Sequence, residues 1–125
     1  MQSHKELIVW QKSMDLVELV YKITSKLPRS EIFGLSSQMQ RAAVAIPSNI
    51  AEGAKRGHKL EYIQFLRVAN GSAAELETQL ILTEKLYPEV KTQTQKANLL
   101  LEEILKTNYK SICLNLRNIE PEKIS

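Results

Sequence analysis

Cysteine, histidine, glycine, proline and aromatic residues are all scarce in this chain. A single thiol, Cys113, among 125 residues cannot close an internal disulfide, which excludes a disulfide-stapled secreted scaffold. Its setting between Ile112 and Leu114 reads as an apolar helix face and a buried structural thiol, because no histidine stands near it in sequence. Four glycines and four prolines exclude collagen-like, Pro-rich and linker classes. They also argue against an all-β fold with many tight turns. No apolar run exceeds five residues, at Ala42 to Ile46, against the ~20 that a membrane span needs. The opening His4-Lys5-Glu6 carries an acid with no long apolar run behind it, unlike a secretory signal, so the expectation is a soluble, cytoplasmic protein.

Catalytic chemistry is equally thin. Of the two histidines, only His58 has an acid at helical spacing, Glu61, and that order reverses the Glu-x-x-His pairs of bundle metal sites. Phosphate loops, nucleophile elbows and Cys-His sets are absent from the sequence. A non-enzymatic protein without metal or cofactor is expected.

What the sequence has is helical periodicity. From Trp10, apolar residues recur at Met14, Val17, Tyr21 and Leu27, widened by Leu16, Leu19, Val20 and Ile23. Spacings of three and four predict an amphipathic helix over 7–27, ended by Pro28. Ser36 or Ser37 is a plausible N-cap for a second helix over 36–56, rich in alanine but interrupted by Pro47. Proline lacks the N–H and crowds the carbonyl four residues back, so a kink near 43–47 is expected, with Ser48 and Asn49 serving the freed backbone groups. A third helix over 59–87 has the stripe Tyr62, Phe65/Leu66, Ala69, Ala73, Leu76, Leu80 and Leu86. Gly71 inside it costs ~1 kcal/mol relative to alanine, and close approach of a neighbouring helix is the simplest compensation. A fourth helix over 90–118 carries Ala97, Leu100/Leu101, Ile104/Leu105, Asn108, Ile112, Leu116 and Ile119, fraying before Pro121. Four long amphipathic segments with short connectors make one domain, an all-α, antiparallel up-down four-helix bundle with a proline-kinked second helix.

Charge is unevenly placed. The net charge is +3, yet residues 41–67 hold five cations against two acids, and residues 68–90 one cation against four acids. The basic stretch suggests an anion-binding patch or subunits that meet basic to acidic; solvated helix faces are the plain alternative. Lys55, Arg56, Lys59 and Arg67 gather around the turn between helices 2 and 3 and are the candidate nucleic-acid contacts. Gln38, Arg41, Ser48, Asn49, Glu52, Ser72 and Glu75 lie in segments of small residues and are candidates for a buried polar network linking those helices, with Arg41 and Glu75 central. Leu7, Ile8, Val9, Tyr21 and Tyr109 exceed what one bundle interior accommodates, which predicts self-association.

The run Arg41-Ala-Ala-Val-Ala-Ile-Pro47-Ser48-Asn49-Ile-Ala-Glu52-Gly53, followed by Phe65-Leu-Arg-Val-Ala69-Asn70-Gly71-Ser72-Ala-Ala-Glu75-Leu-Glu-Thr-Gln-Leu80, resembles the bacterial four-helix bundle proteins named for 23S rRNA intervening sequences. Leu7-Ile-Val-Trp10-Gln-Lys12 and Phe33-Gly-Leu-Ser-Ser-Gln38 fit the same pattern, and the likeness spans about residues 5–117. Ala45 stands where that pattern carries serine. The resemblance implies a homopentamer around a central pore. Through a branch similar to the accessory variability protein of diversity-generating retroelements, it also implies RNA or DNA, and a reverse transcriptase, as partners. Three functions follow: a nucleic-acid-binding assembly, a protein-binding adaptor, or a scaffold with no ligand beyond itself.

Overall fold

The computed structural model describes residues 3–117. Four helices follow one another: α1 Ile8–Thr24, α2 Leu35–Arg56, α3 Lys59–Leu86 and α4 Lys91–Arg117. Short 3-10 turns precede α1, α2 and α4, at His4–Glu6, Arg29–Glu31 and Pro88–Val90. Each helix packs on its sequence neighbours, and α1 packs on α4 to close an up-down bundle; the α2–α3 interface is the most extensive. Among the described residues there is no strand. Residue 118, Ile119 and the expected fraying before Pro121 lie outside the described residues.

Burial follows helical spacing and decides which of two adjacent apolar stripes is the core. On α1 the buried face is Val9, Ser13, Leu16, Val20 and Ile23, one position round from the stripe that starts at Trp10; Met14 and Tyr21 are exposed. Alternative stripes one residue apart both satisfy a period of 3.6, and packing against α2 and α4 selects the one centred on Leu16 and Val20. On α3 the core is Ile63, Leu66, Ala69, Ala73, Leu76 and Leu80, continued by buried Gln79 and Thr83, while Leu86 is exposed. On α4 it is Ala97, Leu101, Ile104, Asn108 and Ile112, as the periodicity predicts. Cys113 is only half-buried.

Pro47 lies inside α2, which runs unbroken from Leu35 to Arg56. The ring removes the N–H that would reach the Ala43 carbonyl. Ser48 Oγ donates to the Val44 carbonyl and Asn49 Nδ2 to the Ala45 carbonyl, both at 2.7 Å, so these side chains serve the two carbonyls beside the freed one. Pro47 itself is buried, and its ring packs in the core face.

The start of α2 corrects the expected serine cap. The helix begins at Leu35, which places Ser36 and Ser37 in its first turn. Its N-terminus is served by Glu31, whose Oε1 accepts from the Leu35 N–H at 3.3 Å. The other oxygen, Oε2, accepts from the Tyr87 hydroxyl at 2.5 Å, tying the α1–α2 connector to the end of α3. This carboxylate beside it raises the Tyr87 pKa above the ordinary 10.0.

Glycine acts at two places. Gly57 ends α2 in the left-handed region, with φ of 77°, and lets the chain turn into α3 in two residues. Gly53 is buried where α3 crosses: a Cβ there would meet Phe65 Cβ at 2.8 Å and Tyr62 Cδ1 at 3.0 Å. Gly71 is the opposite case. Among the described residues nothing approaches within 4 Å of a Cβ built on it, so none of the four helices supplies the close contact expected there.

Candidate nucleic-acid interface

The sharp turn at Gly57 brings Lys55 and Arg56, in the last turn of α2, beside Lys59 in the first turn of α3; Arg67 follows about 12 Å further along α3. Lys55, Arg56, Lys59 and Arg67 are all exposed. Their surroundings differ. Arg56 Nη2 meets Glu52 Oε1 at 2.8 Å, its Nε lies 4.0 Å from Glu61 Oε2, and its guanidinium stands 5.2 Å from the Phe65 ring centroid. Two carboxylates and an aromatic face therefore hold the Arg56 guanidinium in place, and the carboxylates partly offset its charge. Lys55, Lys59 and Arg67 have no carboxylate within 4.0 Å among the described residues. These three present uncompensated charge, and Arg56 braces the turn that carries the two lysines.

Beside this turn is an open cavity of about 350 Å³. Leu7, Ala54 and Gly53 line its apolar part; His58, Lys59, Tyr62 and Asn115 bring polar atoms to it. Gly53 is what lets α3 sit close enough to α2 for Tyr62 to border it. His58 is the N-cap of α3, but its side chain makes no capping bond. Burial raises the Tyr62 pKa above 10.0, so its phenol is protonated at neutral pH. Asn115 Nδ2 donates to the Ser111 carbonyl at 2.8 Å, which fixes the amide and leaves its oxygen to accept. Periodicity cannot reveal this cavity, because its walls come from α2, α3 and α4 together with Leu7 ahead of α1 and the Gly57–His58 connector.

The second candidate set is not a network between α2 and α3 within the chain. Arg41 is exposed and donates to Ser37 Oγ at 3.2 Å, one turn back on the same helix. Glu75 and Gln38 are exposed, and Ser72 is half-buried. Ser48 and Asn49 bond carbonyls of their own helix, and Glu52 pairs with Arg56 on its own helix. Small residues in α2 and α3 admit close packing of backbones rather than buried charge: Ala42, Ala43, Ala69 and Ala73 fill the seam, and the charged residues point away from it. The side-chain contacts that do cross between helices use other residues: Thr83 Oγ1 donates to Met39 Sδ at 3.4 Å between α3 and α2, in addition to the Arg56–Glu61 approach at the turn. Asn108 Nδ2 donates to Asn70 Oδ1 at 2.9 Å between α4 and α3, and Gln40 Nε2 to Thr24 Oγ1 at 3.0 Å between α2 and α1. An asparagine in the apolar stripe of α4 is the signal that marks the Asn108–Asn70 bond.

Apolar side chains remain outside the core. Phe33 is 96% exposed, Ile8 68% and Tyr109 67%, and Tyr21 is exposed with them. Leu7 is half-buried and Val9 is in the core, so these two are not part of that surplus. Among the described residues no three His, Cys, Asp or Glu side chains come together as a metal site. Among the described residues no helix is long and apolar enough to cross a membrane.

Residues 5–110 match the family model described as 23S rRNA-intervening sequence protein. A crystal structure of a protein of unknown function from the S23 ribosomal protein family of Bacteroides thetaiotaomicron is similar to this chain, with a TM-score of 0.74 and 25% identity. The match covers 84% of this chain and 98% of that one. No curated protein matches.

Proposed function

We propose, for a chain that belongs to the 23S rRNA-intervening sequence protein family, a non-enzymatic role as an assembly that binds structured RNA or duplex DNA through the α2–α3 turn. The observation that carries this reading is that Lys55 and Lys59 at the α2–α3 turn, and Arg67 in the first half of α3, are exposed without a carboxylate partner among the described residues. Phosphate binding needs repeated, uncompensated cations and no base-specific geometry, so binding is tolerant of sequence. Arg56 adds contact area and holds the turn.

Self-association supplies the repetition. Fully exposed Phe33 and the exposed Ile8 and Tyr109 are the kind of apolar surface that a second copy covers. The family resemblance favours a pentamer, which would carry about +15 from +3 per chain and place five basic turns around one rim. A protein-binding adaptor is the second reading; the same exposed apolar residues favour it, and a reverse transcriptase is the partner class that the resemblance suggests.

The test is fluorescence anisotropy of a labelled RNA hairpin at low salt, with Lys55, Arg56, Lys59 and Arg67 all changed to Ala. The reading expects wild-type binding and a loss of affinity in the variant, with the assembly's mass unchanged. Equal affinity in both proteins overturns the site, and absence of wild-type binding overturns the function. Light scattering is expected to give about five times 14.2 kDa; a stable monomer would remove the ring from the proposal.

A further inference from the structure

We infer that the cavity beside the basic turn is a pocket for one unstacked nucleobase, so that the protein prefers RNA with a single-stranded loop over a fully paired duplex. The inference rests on the nucleic-acid reading above and adds a ligand class to it. Three observations on one site carry it. The cavity, at about 350 Å³, lies at the small end of the ~300–1,000 Å³ usual for small-molecule pockets. Its size suits a single planar ring system and not a folded peptide. Tyr62 borders it with an aromatic ring, and Leu7 and Ala54 provide apolar walls, the surroundings that receive a base removed from its stack. Around this apolar interior stand the donors and acceptors that a base edge needs: His58, the protonated Tyr62 phenol, and the Asn115 oxygen left free when its amide nitrogen bonds Ser111.

Lys59 links the pocket to the backbone path. It belongs both to the cavity wall and to the exposed cations of the turn, so a phosphate held at Lys59 delivers its neighbouring base to the cavity mouth. A duplex can use the cations but cannot place a stacked base into the cavity. Duplex binding is therefore the purely electrostatic part, and the loop adds a stacking part.

The test compares an RNA hairpin with a uridine loop against a blunt RNA duplex of equal phosphate number, by anisotropy at fixed salt. Wild type is expected to prefer the hairpin by about tenfold, the scale of one base–aromatic stack. Tyr62→Leu, checked by circular dichroism, is expected to abolish that preference and leave duplex affinity unchanged. Because Tyr62 also packs on the core, a second measurement uses unaltered protein: ultraviolet cross-linking to a 5-iodouridine loop, followed by peptide mass spectrometry. Cross-links at His58 or Tyr62 support the pocket. Equal affinity for hairpin and duplex, or cross-links only at residues remote from the cavity such as Phe33 or Tyr109, overturns it while leaving the basic rim standing. Failure of both nucleic acids to bind overturns the rim reading and the pocket together.

Discussion

The same substitution, glycine to alanine, should have opposite signs at two positions of this bundle. At Gly71 the backbone is helical, the site is exposed, and a new Cβ meets nothing within 4 Å. Only the conformational entropy of the chain changes, and Gly71→Ala should stabilise by about 0.5–1 kcal/mol. At Gly53 the same entropic gain, ~1 kcal/mol, meets a steric cost. The new Cβ would stand 2.8 Å from Phe65 Cβ and 3.4 Å from Tyr62 Cα, atoms rigid with the α3 backbone, so no rotamer change relieves the contact. The helices must part by about 0.6 Å to reach ordinary contact, along their most extensive interface. Overpacking of this kind costs roughly 1–3 kcal/mol, which leaves Gly53→Ala destabilising by about 1 kcal/mol net. Thermal melts by circular dichroism resolve this, since 1 kcal/mol is about 3–5 °C in a chain of this size. A Gly53→Ala protein that melts above wild type would refute the packing argument. A Gly71→Ala protein that melts below wild type would mean that another copy of the chain occupies the space beside Gly71.

Gly57→Ala should cost about 1 kcal/mol or slightly more in denaturant unfolding, because its φ of 77° is strained for any Cβ although no neighbour is near. Tyr87→Phe removes the donor to Glu31 and should lower the melting temperature at neutral pH. Its folded-state pKa is raised, so the bond's stabilisation is fully present below pH 10 and fades as pH rises through that higher value. The gap between wild type and Tyr87→Phe should narrow accordingly in melts above pH 10. Asn108→Asp places a carboxylate at a position with no solvent exposure and should destabilise by ~3 kcal/mol at pH 7. Burial raises that acid's pKa, so the penalty should shrink as pH falls toward 4; a penalty independent of pH would show the site to be solvated.

Periodicity and breakers made the bundle legible. The four helices, their order and the ends of α2 near Gly57 and of α3 near Pro88 follow from spacing, proline geometry and one left-handed glycine, whereas α1 stops at Thr24, three residues short of the end expected from Pro28. The core of α4 was also readable, because its apolar positions form one stripe with Asn108 inside it. On α1 two stripes compete, and only the neighbours α2 and α4 choose between Trp10/Met14/Tyr21 and Val9/Leu16/Ile23. The cap of α2 was not readable as Glu31, because its carboxylate reaches Leu35 from the preceding turn rather than from the cap position. Arg41 and Glu75 show the limit of inferring burial from small neighbours: alanine lets backbones approach, but a charged side chain one position round still reaches solvent. The cations of the α2–α3 turn were visible as a cluster. That Arg56 pairs with carboxylates while Lys55, Lys59 and Arg67 have none within 4.0 Å among the described residues depends on distances that only the fold supplies.

Phosphate binding at the α2–α3 turn is read out by the salt dependence of hairpin RNA affinity, measured by anisotropy from about 25 to 250 mM salt for wild type and the four-alanine variant. Phosphate contacts release counterions, so log affinity of the wild type should fall linearly with log salt. The variant should show a weaker affinity and a slope shallower by about one for each lost contact, at least three in all. A wild-type protein that fails to bind at the lowest salt, or two parallel slopes of equal affinity, would contradict the account.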